Sequence, residues 1–180
     1  DLWKLKTWTE RVNPVFRSSE MTVYSLFQKE AGTLDNLLYI SEGEYDVNGS
    51  KKLKLQTGLY IVDLKTGSAV DDSAFMQISA YMAMLEEMIL VQPAEIVGGL
   101  IIHTGSKIRS GIKGLATLLR TREELNQDYI DYRHASELWL RKHRNDKPEI
   151  FEFPVVLSLN RKEEINEPAN DTRTNERNGD

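Results

Sequence analysis

The chain contains no cysteine among its 180 residues. This absence excludes disulfide bridges, zinc sites built from thiolates, cysteine nucleophiles and cysteine-ligated iron–sulfur clusters. The chain also has no apolar run long enough to span a bilayer, and no signal peptide is visible. We therefore expect an intracellular protein without a membrane partner.

An excess of basic residues is missing too, since 23 Lys and Arg stand against 28 Asp and Glu, for a net charge of -5. This overall charge does not indicate nucleic-acid binding. An enzyme acting on nucleic acid can still carry a local basic groove around an acidic metal site. The apolar fraction of 40% and the charged fraction of 28% are those of an ordinary globular domain with a hydrophobic core.

Apolar runs bounded by turn residues predict four strands. They lie near 15–25, 31–40, 58–65 and 96–103. Two long helices are predicted at 73–92 and 121–144. The first helix carries an apolar stripe that can pack on a sheet, formed by Ala74, Ile78, Leu85 and Ile89. This order of elements predicts an α/β fold with a central mixed β-sheet flanked by helices.

The remaining segments have weaker patterns. They are the end of a helix at 1–14, a hairpin-like loop at 41–57, a loop at 104–114 and a strand-like run at 150–159. Residues 160–180 nearly lack large apolar side chains, so we expect a disordered tail there. The domain is accordingly expected to cover 1–159.

The most informative segment is IVDLKTG at 61–67. Because side chains alternate along a strand, Asp63 and Lys65 share one face at the end of a buried strand. A carboxylate beside an ammonium suits a site that holds a divalent metal next to a charge-stabilising lysine. An exposed ion pair of no functional consequence is the ordinary alternative for this triplet alone.

Other polar residues are predicted to lie near this pair. Asp35 follows Gly32 in the strand before it, in the segment AGTLD. Gln77 and Tyr81 are four residues apart on the following helix and therefore share one helix face.

The segments AGTLD, IVDLKTG and QISAY together resemble the RecB-type exonuclease branch of the PD-(D/E)xK nuclease superfamily. The resemblance covers about half the chain, over 15–103, and implies a restriction-endonuclease-like core. It implies that Asp35 and Asp63 bind Mg²⁺ or Mn²⁺, helped by the backbone carbonyl of Leu64. Two carboxylates are hard oxygen ligands that suit either ion.

The same resemblance assigns roles to other residues. Lys65 would be the catalytic lysine, acting with the aspartate two residues before it. Gln77 and Tyr81 would support the site and contact DNA. Glu20 matches an acidic position that often precedes the Gly-x-x-Asp strand.

One departure from the family pattern concerns a histidine that the family usually supplies from an upstream helix. No histidine occurs before His103. Two explanations stay open: the domain lacks its N-terminal, histidine-bearing helix, or the site has no such ligand.

Together with this resemblance, the sequence predicts a metal-dependent, exonuclease-like deoxyribonuclease inside the cell, in the cytoplasm, the nucleoid or an organelle, acting in recombination, repair or phage replication. The alternatives are a DNA-binding pseudonuclease and a module docked on a helicase or another replication or recombination protein through the helix 121–144. The loop residues Lys107, Arg109 and Lys113 are candidate contacts to DNA phosphates.

Overall fold

The computed structural model describes residues 2–48, 51–109 and 111–146. Its elements, in chain order, are α1 (Leu2–Val12), β1 (Val15–Ser25), β2 (Glu30–Ile40), β3 (Gly43–Asn48), β4 (Lys51–Leu55), β5 (Gly58–Lys65), α2 (Ser73–Glu87), β6 (Ile96–His103), β7 (Ala116–Thr121) and α3 (Arg122–Lys142). All of them belong to one compact unit, Asp1–Arg144. The predicted strand at 150–159, the tail at 160–180 and the domain boundary between them lie outside the described residues.

Five of the strands form one sheet in the order β1-β2-β5-β6-β7. β5 and β6 are parallel and are connected through α2, whereas the other neighbours are antiparallel. A parallel pair needs such a crossover because a short hairpin cannot join its strands. The predicted fold class is confirmed: the domain is α/β with a mixed central sheet flanked by helices, compatible with a restriction-endonuclease-like core.

The sheet has a hydrophobic cluster on each face. On one face, Ile78 and Leu85 of α2 pack with Ile61 of β5. On the other, Trp8 of α1 packs with Leu100 of β6 and with the β3–β4 hairpin. Each fully buried large apolar side chain contributes about 1.5–3 kcal/mol. The strand β5, which carries Asp63 and Lys65, is therefore buried from both sides.

The end of α2 differs from its prediction. The helix ends at Glu87 rather than at Gln92, because the chain closes it with a Schellman motif. In this motif the N–H of Leu90 donates to the carbonyl of Leu85. Ile89 takes the left-handed conformation, with φ 56°, and is 77% exposed. The prediction that Ile89 belongs to the apolar stripe is wrong, whereas Ala74, Ile78 and Leu85 are buried as predicted.

Three further segments refine the predicted boundaries. Residues 1–14 contain the helix α1 (Leu2–Val12), which carries no histidine. The polar loop predicted at 41–57 contains the paired strands β3 and β4, whose inward side chains Val47, Leu53 and Leu55 are buried. The strand β7 was not predicted. No described helix combines the length and the apolar character needed to cross a membrane.

The outer edge of β7 is partly covered by a side chain. The amide of Asn48 donates from Nδ2 to the carbonyl of Thr117, at 2.6 Å. Its Oδ1 accepts the N–H of the same residue, at 2.7 Å. The side chain of Asn48 therefore makes the two hydrogen bonds that a neighbouring strand would make at this position.

Thr121, at the junction of β7 and α3, forms a capping box with Glu124. Replacing Thr121 with alanine removes the acceptor for the N–H of Glu124, so we expect a loss of about 1 kcal/mol of stability. Thermal unfolding would show it as a melting temperature lower by roughly 2–4 °C. Thr121→Ser keeps the hydroxyl and should remain near the parent value; an equal loss in both variants would contradict this account.

Candidate active site

The candidate site lies where β2 and β5 part. Their pairing runs from Ile40–Gly58 to Asn36–Val62, and Asp35 and Asp63 are the next residues along the two strands. Beyond this point the N–H of Leu64 donates to Oδ2 of Asp35, at 2.8 Å. A side-chain carboxylate thus takes the place of a backbone partner, which brings the two predicted metal ligands together.

Asp63 is a buried acid, with only 5% of its surface exposed. Its Oδ2 lies 2.9 Å from Nζ of Lys65. That oxygen accepts no hydrogen bond of acceptable geometry from the described residues. Burial raises the pKa of Asp63 above its usual value; the ammonium of Lys65 opposes this rise, and the charge of Asp35 adds to it. A buried carboxylate is costly unless charges or donors balance it, and here the described residues provide only the ammonium of Lys65 for this oxygen.

Lys65 stands between this acid and α2. About a third of its side chain is exposed. Its Nζ reaches Oε1 of Gln77 at 3.5 Å, and Nε2 of Gln77 donates to the hydroxyl of Tyr81 at 2.7 Å. The structure therefore connects Asp63, Lys65, Gln77 and Tyr81 in one row of polar contacts.

The backbone carbonyl of Leu64 points toward the same gap. In a strand, the N–H and C=O of one residue point to the same side. The N–H of Leu64 faces Asp35, whereas the carbonyl of Lys65 faces β6 and accepts the N–H of Thr104, at 2.9 Å. The carbonyl of Leu64 is therefore directed to the Asp35 side of β5, as a third oxygen donor requires.

These groups fit a divalent cation of the Mg²⁺ or Mn²⁺ type. Two carboxylates and a carbonyl are hard oxygen donors, and Mg²⁺ commonly takes one or two carboxylates and keeps several waters. The burial of Asp63 beside Asp35, with Lys65 as the only described partner of its Oδ2, is the observation that favours a ligand here. Among the described residues, no group of three or more His, Asp or Glu side chains is arranged to hold a metal. A cation would thus rest on Asp35, Asp63 and Leu64, with water in its other positions.

Glu20 and the three loop cations lie further out. Glu20 falls between the pairs Ser19–Asn36 and Met21–Leu34, which places it on β1 across from Asp35. It is exposed and has a left-handed φ of 51°, uncommon for a residue within a strand. Its role as a site residue stays a prediction.

Lys107, Arg109 and Lys113 are exposed on the loop after β6. This loop begins at Thr104, whose N–H donates to Lys65. The start of the loop is therefore fixed beside the site, and contacts from its cations to phosphates stay a prediction.

His103 is the neighbour that the sequence reasoning missed. It ends β6 opposite Lys65 and is 7% exposed. Its Nε2 lies 2.6 Å from the carbonyl of Gly67, so Nε2 carries the proton and donates it. The sequence offered one signal: two apolar strands joined through a helix predict a parallel pair. The ends of such a pair, here Lys65 and His103, lie at the same edge of the sheet.

No protein-family model and no curated protein matches this chain. The resemblance to RecB-type nucleases therefore stays a prediction carried by the three short motifs. The site roles predicted for Asp35, Asp63 and Lys65 also stay predictions, consistent with the geometry described above.

Proposed function

We propose that this domain is a Mg²⁺- or Mn²⁺-dependent deoxyribonuclease that hydrolyses phosphodiester bonds, acting like an exonuclease in recombination, repair or phage replication. The observation that carries the proposal is the buried carboxylate of Asp63, whose Oδ2 is ion-paired with Lys65 and accepts no hydrogen bond from any other described residue. It lies in the gap between β2 and β5, with Asp35 on one side and the ammonium of Lys65 on the other. Acids and a lysine in this arrangement suit a reaction that builds negative charge on a phosphate.

Each residue of the site has a distinct task in this mechanism. Asp35, Asp63 and the carbonyl of Leu64 would hold the cation. When bound, such a cation lowers the pKa of a water ligand and polarises the phosphoryl oxygens. Lys65 orients the attacking water or neutralises the charge that develops on the phosphate.

Gln77 has a supporting task. Its Oε1 faces the ammonium of Lys65 as a neutral acceptor. A neutral acceptor keeps the lysine near the site without adding a second negative charge to compete with the phosphate. Tyr81 fixes the amide from its other end.

A DNA-binding pseudonuclease is the second candidate. It is favoured by the small donor set, since the described residues provide no cluster of three His, Asp or Glu side chains for a metal. In this function the domain binds DNA without turnover, or docks on a helicase through the exposed side of α3. Lys65 then serves as a phosphate contact.

A cleavage assay separates the two candidates. We expect the chain to degrade linear DNA with Mg²⁺ or Mn²⁺, to leave closed circular DNA intact and to stop when EDTA is added. Asp35→Asn should abolish cleavage, because a hard carboxylate ligand becomes an amide. Asp131→Asn, an exposed acid on α3, is the matched control and should cleave at the parental rate. DNA binding without metal-dependent cleavage by the parent would support the pseudonuclease instead.

A further inference from the structure

Gly32 of β2 lies directly under the ring of Tyr81. A methyl carbon placed on Gly32 would come within 2.6 Å of Cε1 and 3.2 Å of the hydroxyl oxygen of Tyr81. A carbon–carbon distance of 2.6 Å is far below van der Waals contact. Any side chain at position 32 would therefore displace the ring or the strand.

The backbone does not explain a glycine at this position. Gly32 is paired with Val23 of β1 in a regular ladder, and its φ is not in the left-handed region. Glycine within a strand weakens it, and often marks a close approach of another group. Space for Tyr81 is the remaining reason for a glycine here.

The contacts of Gln77 show why the position of the Tyr81 ring matters for Lys65. Nε2 of Gln77 donates to the hydroxyl of Tyr81, so Oε1, the opposite atom of the amide, is turned to Lys65. If the hydroxyl moved away, the amide would lose the bond that sets its orientation. A rotated amide would present N–H groups to the ammonium of Lys65, which cannot accept them.

We infer that Gly32 is a positioning residue for Lys65 and acts through Tyr81 and Gln77. The absence of a side chain at position 32 seats the tyrosine, the tyrosine orients the amide, and the amide oxygen is the second partner of the ammonium, at 3.5 Å, beside its ion pair with Asp63. This inference rests on the proposed function for its effect on catalysis. The chain of contacts itself does not depend on that function.

The test compares Gly32→Ala, Tyr81→Phe and the double variant. Gly32→Ala should lower kcat by roughly tenfold to a hundredfold with little change in KM, because a displaced lysine fails mainly in the transition state. Tyr81→Phe should give a similar loss. In the double variant the kcat losses should not multiply, since both changes break the same contact. The losses of melting temperature should add, because phenylalanine keeps the ring that the methyl group meets.

The control is Thr33→Ala, an exposed position on the same strand, which should leave kcat and KM at parental values. Multiplying kcat losses in the double variant would overturn the inference, because Gly32 would then act independently of the tyrosine hydroxyl. If Gly32→Ala does not fold, Gly32→Ala with Tyr81→Leu replaces it. That variant should fold and should cleave as Tyr81→Leu does alone; lower cleavage would also overturn the inference.

A second readout needs no activity. The side-chain amide protons of Gln77 should give a distinct NMR signal in the parent, because Nε2 donates to the hydroxyl of Tyr81. In Gly32→Ala and in Tyr81→Phe this signal should move to the position of a glutamine amide that donates only to water. An unmoved signal in Gly32→Ala overturns the inference even if cleavage is observed. If the parent cleaves no DNA but the signal still moves in both variants, the proposed function is overturned and the chain of contacts is supported.

Discussion

Lys65→Ala is expected to abolish cleavage while divalent-metal binding persists or becomes tighter. The lysine is not a ligand, and its ammonium lies 2.9 Å from a carboxylate oxygen of Asp63. Removing a positive charge from that position removes its repulsion of a cation. Cleavage should still fall by roughly 10² or more, because the group that orients the water or stabilises the transition-state charge is gone. Calorimetric titration with Mn²⁺ beside a cleavage time course measures both effects.

The matched control is Lys6→Ala, which removes an exposed lysine on α1 and should change neither quantity. Asp63→Ala gives the opposite pattern to Lys65→Ala, since it removes a ligand and should weaken metal binding and cleavage together. Parental cleavage by Lys65→Ala would remove Lys65 from the mechanism. A large loss of metal affinity in the same variant would show that the ammonium organises the ligands.

Asp63→Asn is expected to stabilise the metal-free protein at neutral pH while abolishing its cleavage. Burial raises the pKa of Asp63, so the folded state binds this proton more tightly than the unfolded state does. The corresponding stability is present below the ordinary pKa of an aspartate and is lost as the pH rises through the raised value. Asparagine is neutral throughout, so the advantage of the variant should grow with pH.

Melting temperatures in EDTA between about pH 5 and pH 8 measure this difference. Each kcal/mol gained in the free energy of unfolding raises the melting temperature by roughly 2–4 °C in a domain of this size. Asp131→Asn is exposed and should show no such pH-dependent gain. Added Mg²⁺ should stabilise the parent more than Asp63→Asn, because the variant has lost a ligand. A variant less stable than the parent at every pH would show that the ion pair with Lys65 outweighs the burial of the carboxylate.

The sequence predicted the main sheet because its strands have strong local patterns. β5 is an apolar run that ends at a turn, and Asp63 and Lys65 are placed by simple alternation. The parallel partner β6 is equally apolar. The grouping of Asp35 with this pair followed from motif order, and the structure brings them together through the N–H of Leu64.

Other features depend on tertiary contacts that leave little local signal. The helix α2 stops at a Schellman motif in which Ile89 occupies the position that glycine usually takes. β7 is short and follows directly on a loop, so its pairing with β6 decides its structure. Gly32 matters because it has no side chain. The sequence does not show this, since the reason is the Tyr81 ring, which packs against Gly32 in the folded domain.

The side chain of Asn48 has a consequence for self-association. An open sheet edge can recruit a strand from another molecule and so start aggregation. On β7 the residues whose backbone groups point outward alternate, beginning with Thr117 and ending with Thr121. Asn48 occupies the first of them, and the carboxylate of Glu124 accepts the N–H of the last. Considering the contacts made by the described residues, a foreign strand would find both backbone groups unoccupied only at Leu119, which is too short a stretch to template a second sheet.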